Sequence, residues 1–263
     1  MSRIKFGDVV KDVKINIDRL NNPYEFYVAG DHMDSEDLTT HRKGRFATDD
    51  VGPAFIRVFK PGQILYGSRR TYLKKIAVAD FEGICANTTF VLETKDPLVL
   101  EQRLLPFIML SKDFTTWSIA KSKGSTNPYV LFSDLADFEF ELPPLEEQKV
   151  LADKLWAAYR LKEAYKKLLV ATDEMLKSQF IEMFGNPLSL NQKNELKRLG
   201  ECCILNPRRP NIALCDTDKV SFIPMPAVSE DGYLVDMTDE EYGKVKKGFT
   251  YFENNDVLFA KIT

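Results

Sequence analysis

Leu142-Pro143-Pro144-Leu145-Glu146-Glu147-Gln148 opens a run of forty residues, Leu145 to Phe184, that contains neither glycine nor proline and closes on Gly185-Asn186-Pro187. A run of that length without a breaker reads as a helix, and Gly-Asn-Pro is a strong stop. The spacing predicts one continuous helix over Leu145–Phe184, ~60 Å long at ~1.5 Å per residue. Steps of four and three from Leu151 reach Leu155, Ala158, Lys162, Tyr165, Leu169, Thr172, Leu176, Gln179 and Met183, and seven of these ten positions are apolar. Ala157, Leu161, Ala164, Leu168, Ala171 and Met175 widen the stripe. A helix longer than a small domain needs an equally long partner. A coiled coil, in cis or in trans, is therefore expected through Leu151, Leu155, Ala158, Tyr165, Leu169, Leu176 and Met183. A helix laid over its own domain is the alternative.

Outward from the helix, residues 1–144 read as mixed structure with short strands. The clearest are Gln63–Ser68, Ile76–Ala79 and Thr89–Glu93, each rich in β-branched or aromatic residues and bounded by Gly, Asp or Pro. Leu98–Lys112 reads as a helix kinked at Pro106, and Phe138–Leu142 as a half-buried strand. Beyond Pro187 a polar linker, Leu188 to Glu195, leads to turns and two further strands, Val220–Ile223 and Asp256–Ala260. The tail repeats the head. Lys5-Phe6-Gly7-Asp8 matches Arg198-Leu199-Gly200-Glu201, and Phe59–Tyr66 matches Phe252–Phe259, both at an offset of 193. The fold class is expected to be α+β: a β-rich domain over 1–144, a long helix over 145–187, and part of a second such domain over 188–263.

Composition is that of a globular chain, 44% hydrophobic and 29% charged over 263 residues, which excludes disordered, collagen-like and disulfide-stapled classes. No apolar run approaches the ~20 residues of a spanning helix, and Met1–Asp8 lacks a signal-peptide core, so a cytoplasmic location and no membrane partner are expected. Cys85, the adjacent Cys202 and Cys203, and Cys215 lack the paired spacing of zinc ligands. With His32 and His41 far from them, no metal is expected and reduced, semi-buried thiols are. The net charge of -3 argues against a nucleic-acid partner only if charge is spread evenly. It is not. Between Asp50 and Asp80 no acid occurs, yet Arg57, Lys60, Arg69, Arg70, Lys74 and Lys75 do; a second acid-free window, Phe114–Ser133, carries Lys121 and Lys123. Such segregation can build a basic face on an acidic chain.

The order of domain, Leu-Pro-Pro-Leu-x-Glu-Gln box, long helix, Met183-Phe184-Gly185-Asn186-Pro187 and second domain resembles the specificity subunits of type I restriction-modification systems. Gly124-Ser125-Thr126 followed by Leu131, Asp134-Leu135 and Phe138 is similar to the family's approach to that box. Gly62–Tyr66 and Asp256–Lys261 are similar to its Gly-Asp-Ile-Leu strand. The resemblance implies target-recognition domains that each read half of a bipartite site in double-stranded DNA, set apart by spacer helices, with no catalysis of their own. It also implies modification subunits that bind S-adenosylmethionine and methylate adenine, and a motor-nuclease subunit, so that S-adenosylmethionine, Mg and ATP belong to partners and no cofactor to this chain. The family has two complete recognition domains and two antiparallel spacer helices. With one helix and half a second domain, this chain is a fragment, a truncated form or a half-subunit; a half-subunit would pair its Leu145–Phe184 helices as a homodimer.

Under that reading Ser68, Arg69, Arg70, Lys74 and Lys75, together with Lys121, Lys123, Ser125 and Asn127, are the candidate DNA contacts. The two arginines suit guanine edges and the lysines phosphates. In the tail, Arg208, Arg209 and Lys261 suit similar parts. Two enzymatic readings compete. Asn22-Pro23-Tyr24 and Asn127-Pro128-Tyr129 lack the second proline of an adenine-methyltransferase motif. Asp80 with Glu93-Thr94-Lys95 has the spacing of a Mg-dependent nuclease core. A third alternative is a coiled-coil interaction protein that ignores DNA.

Overall fold

A computed structural model describes residues 2–18, 21–186, 197–229 and 232–259. The chain divides into two compact units, Met1–Asp173 and Glu174–Thr263.

From the N-terminus the chain runs β1 (Ser2–Lys5), α1 (Phe6–Val9), β2 (Val10–Asp12), β3 (Phe26–Val28), β4 (Gly44–Arg45), β5 (Phe55–Phe59), β6 (Ile64–Gly67), β7 (Ile76–Val78), β8 (Gly83–Ala86), β9 (Thr89–Thr94), α2 (Leu105–Leu110), α3 (Lys112–Ala120), α4 (Phe132–Ala136), β10 (Glu139–Leu142) and the long α5 (Leu145–Phe184), of which residues up to Asp173 belong to the first unit. The strands form two four-stranded sheets, ordered β2-β9-β6-β7 and β4-β3-β8-β5, and β1 pairs with β10. This is the expected α+β architecture. All pairings are antiparallel except β3 with β8.

β6 shows why its sequence is a continuous apolar run. Ile64 and Tyr66 join one core with Phe114, Leu92 and the helices, while Leu65 turns to the other, with Val91, Ala77 and Cys85. A strand buried on both faces has no polar side to alternate with. Opposite it, Phe90 stacks on Tyr66 at 6.3 Å. Pro106 does not kink a long helix as expected. A short 3₁₀ turn, Gln102–Leu104, precedes α2, and Pro106 sits in the first turn of α2, where its missing N–H has no partner to lose. Ser111 then ends α2 and caps α3, accepting from the Phe114 N–H at 3.2 Å.

The box at the start of α5 has a structural task. Gln148 is buried, and its side-chain oxygen accepts from the Glu101 N–H at 2.9 Å. Its amide nitrogen donates to the carbonyls of Val99 at 3.0 Å and Pro143 at 2.9 Å. A buried amide with both ends satisfied joins the helix to the 99–101 segment, which no carboxylate or aliphatic side chain can do. From there Ala152 and Tyr159 are buried and Trp156 and Glu163 half-buried on the domain side. Trp156 meets Phe107 edge-on at 5.2 Å and donates its Nε1 hydrogen to the Arg103 carbonyl at 2.9 Å.

The apolar stripe is on another face. Leu151, Tyr165, Leu169, Leu176 and Met183 are exposed, as are Ala158, Leu161, Leu168 and Met175; Leu155 alone of the expected pairing residues is half-buried. At ~100° per residue the stripe lies roughly 130° around the helix from the domain-facing row. The first turns of the helix therefore lie on their own domain, and a separate apolar face stays exposed.

The second unit contains α6 (Leu199–Cys202), β11 (Lys219–Phe222) paired with β12 (Thr238–Glu241), and α7 (Tyr242–Val245). The 193-residue offset is visible in its geometry. α6 falls at the offset from α1, and each ends with the N–H after its last residue donating to the carbonyl of its first. In the head, the Gln63 side chain accepts from the Lys60 N–H at 2.8 Å and its own N–H donates to the Lys60 carbonyl at 3.2 Å. In the tail, Asp256 and Glu253 repeat both bonds at 2.8 and 3.1 Å. Gly62 has φ 84° and its counterpart Asn255 φ 74°, the left-handed conformation that Asn tolerates best after Gly. Val257–Phe259 does not form the expected strand: Val257 is 94% and Phe259 89% exposed, where Ile64 and Tyr66 are buried. Among the described residues no neighbouring strand offers that segment a ladder. Pro187, the 188–195 linker, Ala260 and Lys261 lie outside the described residues. No described helix is long and apolar enough to cross a membrane.

Candidate nucleic-acid interface

The two acid-free windows meet. Past β6 the backbone continues through Ser68–Arg70 into a 3₁₀ turn, Thr71–Leu73, and the 121–130 loop lies against it. Arg69 bridges to Tyr129, the Arg70 N–H donates to the Pro128 carbonyl at 2.7 Å, and the Val130 N–H donates to the Ser68 carbonyl at 3.0 Å. Lys123 and Tyr129 exchange two backbone hydrogen bonds at 2.8 and 2.9 Å, closing a tight loop at whose start Gly124 takes φ 89°. Side chains add one clasp. Ser122 donates its hydroxyl hydrogen to the Ser118 carbonyl, so at 3.0 Å from it Thr71 is the donor.

This brings Arg69, Arg70, Lys121, Lys123, Ser125 and Asn127 to one exposed surface. Arg69 and Arg70 have no ion-pair partner among the described residues. Lys123 pairs with Asp134 at 2.8 Å, an ammonium that holds the Asp134 carboxyl below its ordinary range. Lys121 lies 4.7 Å from the Trp117 ring centre, an arrangement that leaves its charge uncompensated. Ser68 is elsewhere: it is buried and donates its hydroxyl to the Thr88 carbonyl at 2.6 Å, which ties the β8–β9 turn to the loop. Lys74 and Lys75 also leave the group. Their backbone runs against residues 35–36, Lys74 pairs with Glu36, and Lys75 donates to the Gly30 carbonyl. Two tyrosines that charge-based reading passes over, Tyr72 and Tyr129, are exposed among the cations; alternation of aromatic and basic residues in both windows was the available signal.

A second polar cluster faces α5. Asp37 is buried and accepts from the Tyr159 hydroxyl at 2.5 Å, the Thr39 N–H at 3.0 Å and Lys166 Nζ at 2.9 Å, with His41 Nε2 at 3.2 Å. The Tyr159 oxygen in turn accepts from the Leu38 N–H at 2.9 Å. Burial pushes the Asp37 carboxyl up, but the Tyr159, Thr39 and Lys166 donors outweigh it and hold it well below the carboxylate range. Burial and the Asp37 charge push Tyr159 up to about 12. Asp37, His41 and Glu163 are spaced as metal ligands can be, but the Lys166 ammonium already bridges the two carboxylates.

The nuclease arrangement is not assembled. Glu93 accepts from Gln63 at 2.7 Å and pairs with Lys11 at 2.8 Å, Lys95 donates to the Gly7 carbonyl, and Asp80 stands exposed. Of the four thiols only Cys85 is buried, which pushes it up to about 12; Cys202, Cys203 and Cys215 are exposed rather than semi-buried. In the tail Arg209 donates to the Lys246 carbonyl at 2.6 Å, and Arg208 is exposed.

Residues 56–170, which include both loops and the first turns of α5, match the family model of the type I restriction modification DNA specificity domain. Over 131 residues, 49% of this chain, the sequence is 28% identical to the type I restriction enzyme EcoDI specificity subunit of Escherichia coli. Over 80 residues, 29% of the chain, it is 38% identical to the EcoEI specificity subunit of the same organism. These matches span 28% and 13% of the relatives' own lengths. The fold is shared with the HsdS subunit from Thermoanaerobacter tengcongensis (TM-score 0.52, 22% identity, 72% of this chain and 50% of that one). It is also shared with a chain from a structure on complex assembly and conformational transition of the type I R-M system (TM-score 0.53, 22% identity, 80% and 56%). The matched domain, the relatives and the fold agree on one point: residues 56–170 of this chain are similar to the DNA specificity domain of type I restriction-modification systems.

Proposed function

We propose that this chain is the DNA-reading, non-catalytic specificity subunit of a type I restriction-modification complex, and that its first unit contacts one half of a bipartite target through the 68–73 and 121–129 loops. The observation that carries this reading is the convergence of two acid-free segments, some fifty residues apart, on one face of a chain whose net charge is negative. Arg69 and Arg70 are the guanine readers, with free guanidinium forks. Lys121 and Lys123 meet phosphates, the latter by exchanging Asp134 for DNA, and Ser125 and Asn127 reach base edges at the loop tip. Ser68 positions the loop from beneath. Lys74 and Lys75 join only by releasing Glu36 and Gly30. Partners are modification subunits carrying S-adenosylmethionine and a motor-nuclease subunit using Mg and ATP.

The test is co-expression with a cognate modification subunit and mapping of N6-methyladenine in host DNA. A split motif is the expected result, and an absence of sequence-linked methylation overturns the reading. The bare stripe on α5 supports a second element, a homodimer formed by pairing of these helices, which would read a palindromic split site. Introducing glutamate at Leu168 and Leu176 is expected to convert a dimer to a monomer by light scattering without changing the helical circular dichroism of the first unit. A wild-type chain that is already monomeric sinks the dimer and leaves the recognition reading standing.

A further inference from the structure

The turn between the two pairs of basic residues is strained at both ends. Arg70 has φ 51° and Lys74 φ 47°, both in the left-handed region that a side chain bearing a Cβ rarely enters. Non-glycine residues held there persist only when their surroundings over-determine them, and they gather at sites of function. Here the surroundings are visible. The Arg70 N–H is fixed to Pro128, the Leu73 and Lys74 N–H groups donate back to Arg70 and Thr71, the Lys74 carbonyl accepts from the Glu36 N–H, and the buried Thr71 is clasped to Ser122. The residue at the apex is Tyr72, 53% exposed, with no hydrogen-bond partner for its hydroxyl and no ring packed on it among the described residues.

We propose that Tyr72 is a specificity-determining residue that touches a base in the major groove, and that the feature it reads is the 5-methyl group of a thymine. The inference rests on the DNA-reading function proposed above. A phosphate contact calls for a cation; an exposed aromatic ring instead offers an apolar surface, and the apolar feature of the major groove is the thymine methyl. Tyr72 loses little side-chain freedom on binding because the turn beneath it is already rigid, which favours its use as a fixed reader.

The experiment is selection from a pool of fully randomised duplexes by the wild-type chain and by Tyr72→Ala and Tyr72→Phe, with circular dichroism as the folding control; the exposed ring leaves the fold of the variants intact. The wild type is expected to enrich a motif. Tyr72→Ala should lose a preference on the order of tenfold at one T·A pair while keeping the remaining positions, and Tyr72→Phe should retain it. A uniform weakening across the motif, or a loss confined to a G·C pair, overturns the inference and leaves DNA reading intact. A wild type that enriches nothing removes the underlying reading and the inference with it.

Discussion

Replacing Asp37 with alanine is expected to lower the unfolding free energy of the first unit by about 3 kcal/mol, read as a shift in the urea midpoint at constant m-value. The carboxylate gathers the Tyr159 hydroxyl, the Thr39 N–H and the Lys166 ammonium at one buried point; alanine leaves the Thr39 N–H unsatisfied and the Tyr159 hydroxyl with only Thr39 Oγ1, at 3.1 Å, to donate to. The Lys166 share is small because its side chain is 47% exposed and water screens it. The same group sets a pH dependence. Its carboxyl titrates lower in the folded state than the 3.8 of an unperturbed Asp, so the folded state binds fewer protons than the unfolded one across that interval. Its stabilisation is complete above about pH 4 and is lost as the pH falls below that value. The wild type should therefore lose stability on acidification more steeply than Asp37→Ala, and parallel curves for the two would exclude this role for the Asp37 carboxylate.

Alanine at Arg69, Arg70, Lys121 and Lys123 together is expected to reduce affinity for duplex DNA by two to three orders of magnitude at moderate salt, on the order of 0.9 being lost from the salt slope for each phosphate contact removed. All four side chains are exposed and lie outside both cores, so the variant should unfold at the wild-type midpoint. Alanine at Lys74 and Lys75, whose ammonium groups are engaged by Glu36 and Gly30, should cost far less. Equal losses from the two sets in a binding isotherm would move the interface to the other side of the turn.

α5 was legible to the residue because prolines and a glycine bound an uninterrupted run, and β6 because a strand buried on both faces is apolar throughout. The 193-residue offset was legible because a Phe precedes the turn and a β-branched residue, a Leu and an aromatic follow it at the same spacing in both places. The domain-facing row of α5 was not: Gln148, Tyr159, Glu163 and Lys166 bind through hydrogen bonds, and a count of apolar positions passes over them. The apolar count instead marked the bare face. Nor could the meeting of the two basic windows be read. It depends on backbone bonds between Ser68–Arg70 and Pro128–Val130, which leave no trace in residue type. Charge placed Lys74 and Lys75 with the arginines, whereas two left-handed residues turn the chain between them.

The clasp between those loops has a consequence for how the protein can be altered. It is made by main-chain groups at Ser68, Arg70, Lys123, Pro128, Tyr129 and Val130, and main-chain groups are common to nearly every amino acid. Side chains at 69, 121, 125 and 127 can therefore be exchanged wholesale while the scaffold that aims them stays the same. The surface behaves as a replaceable printing plate on a fixed press, open to randomisation, and mutational drift there alters the message at little expense to the fold.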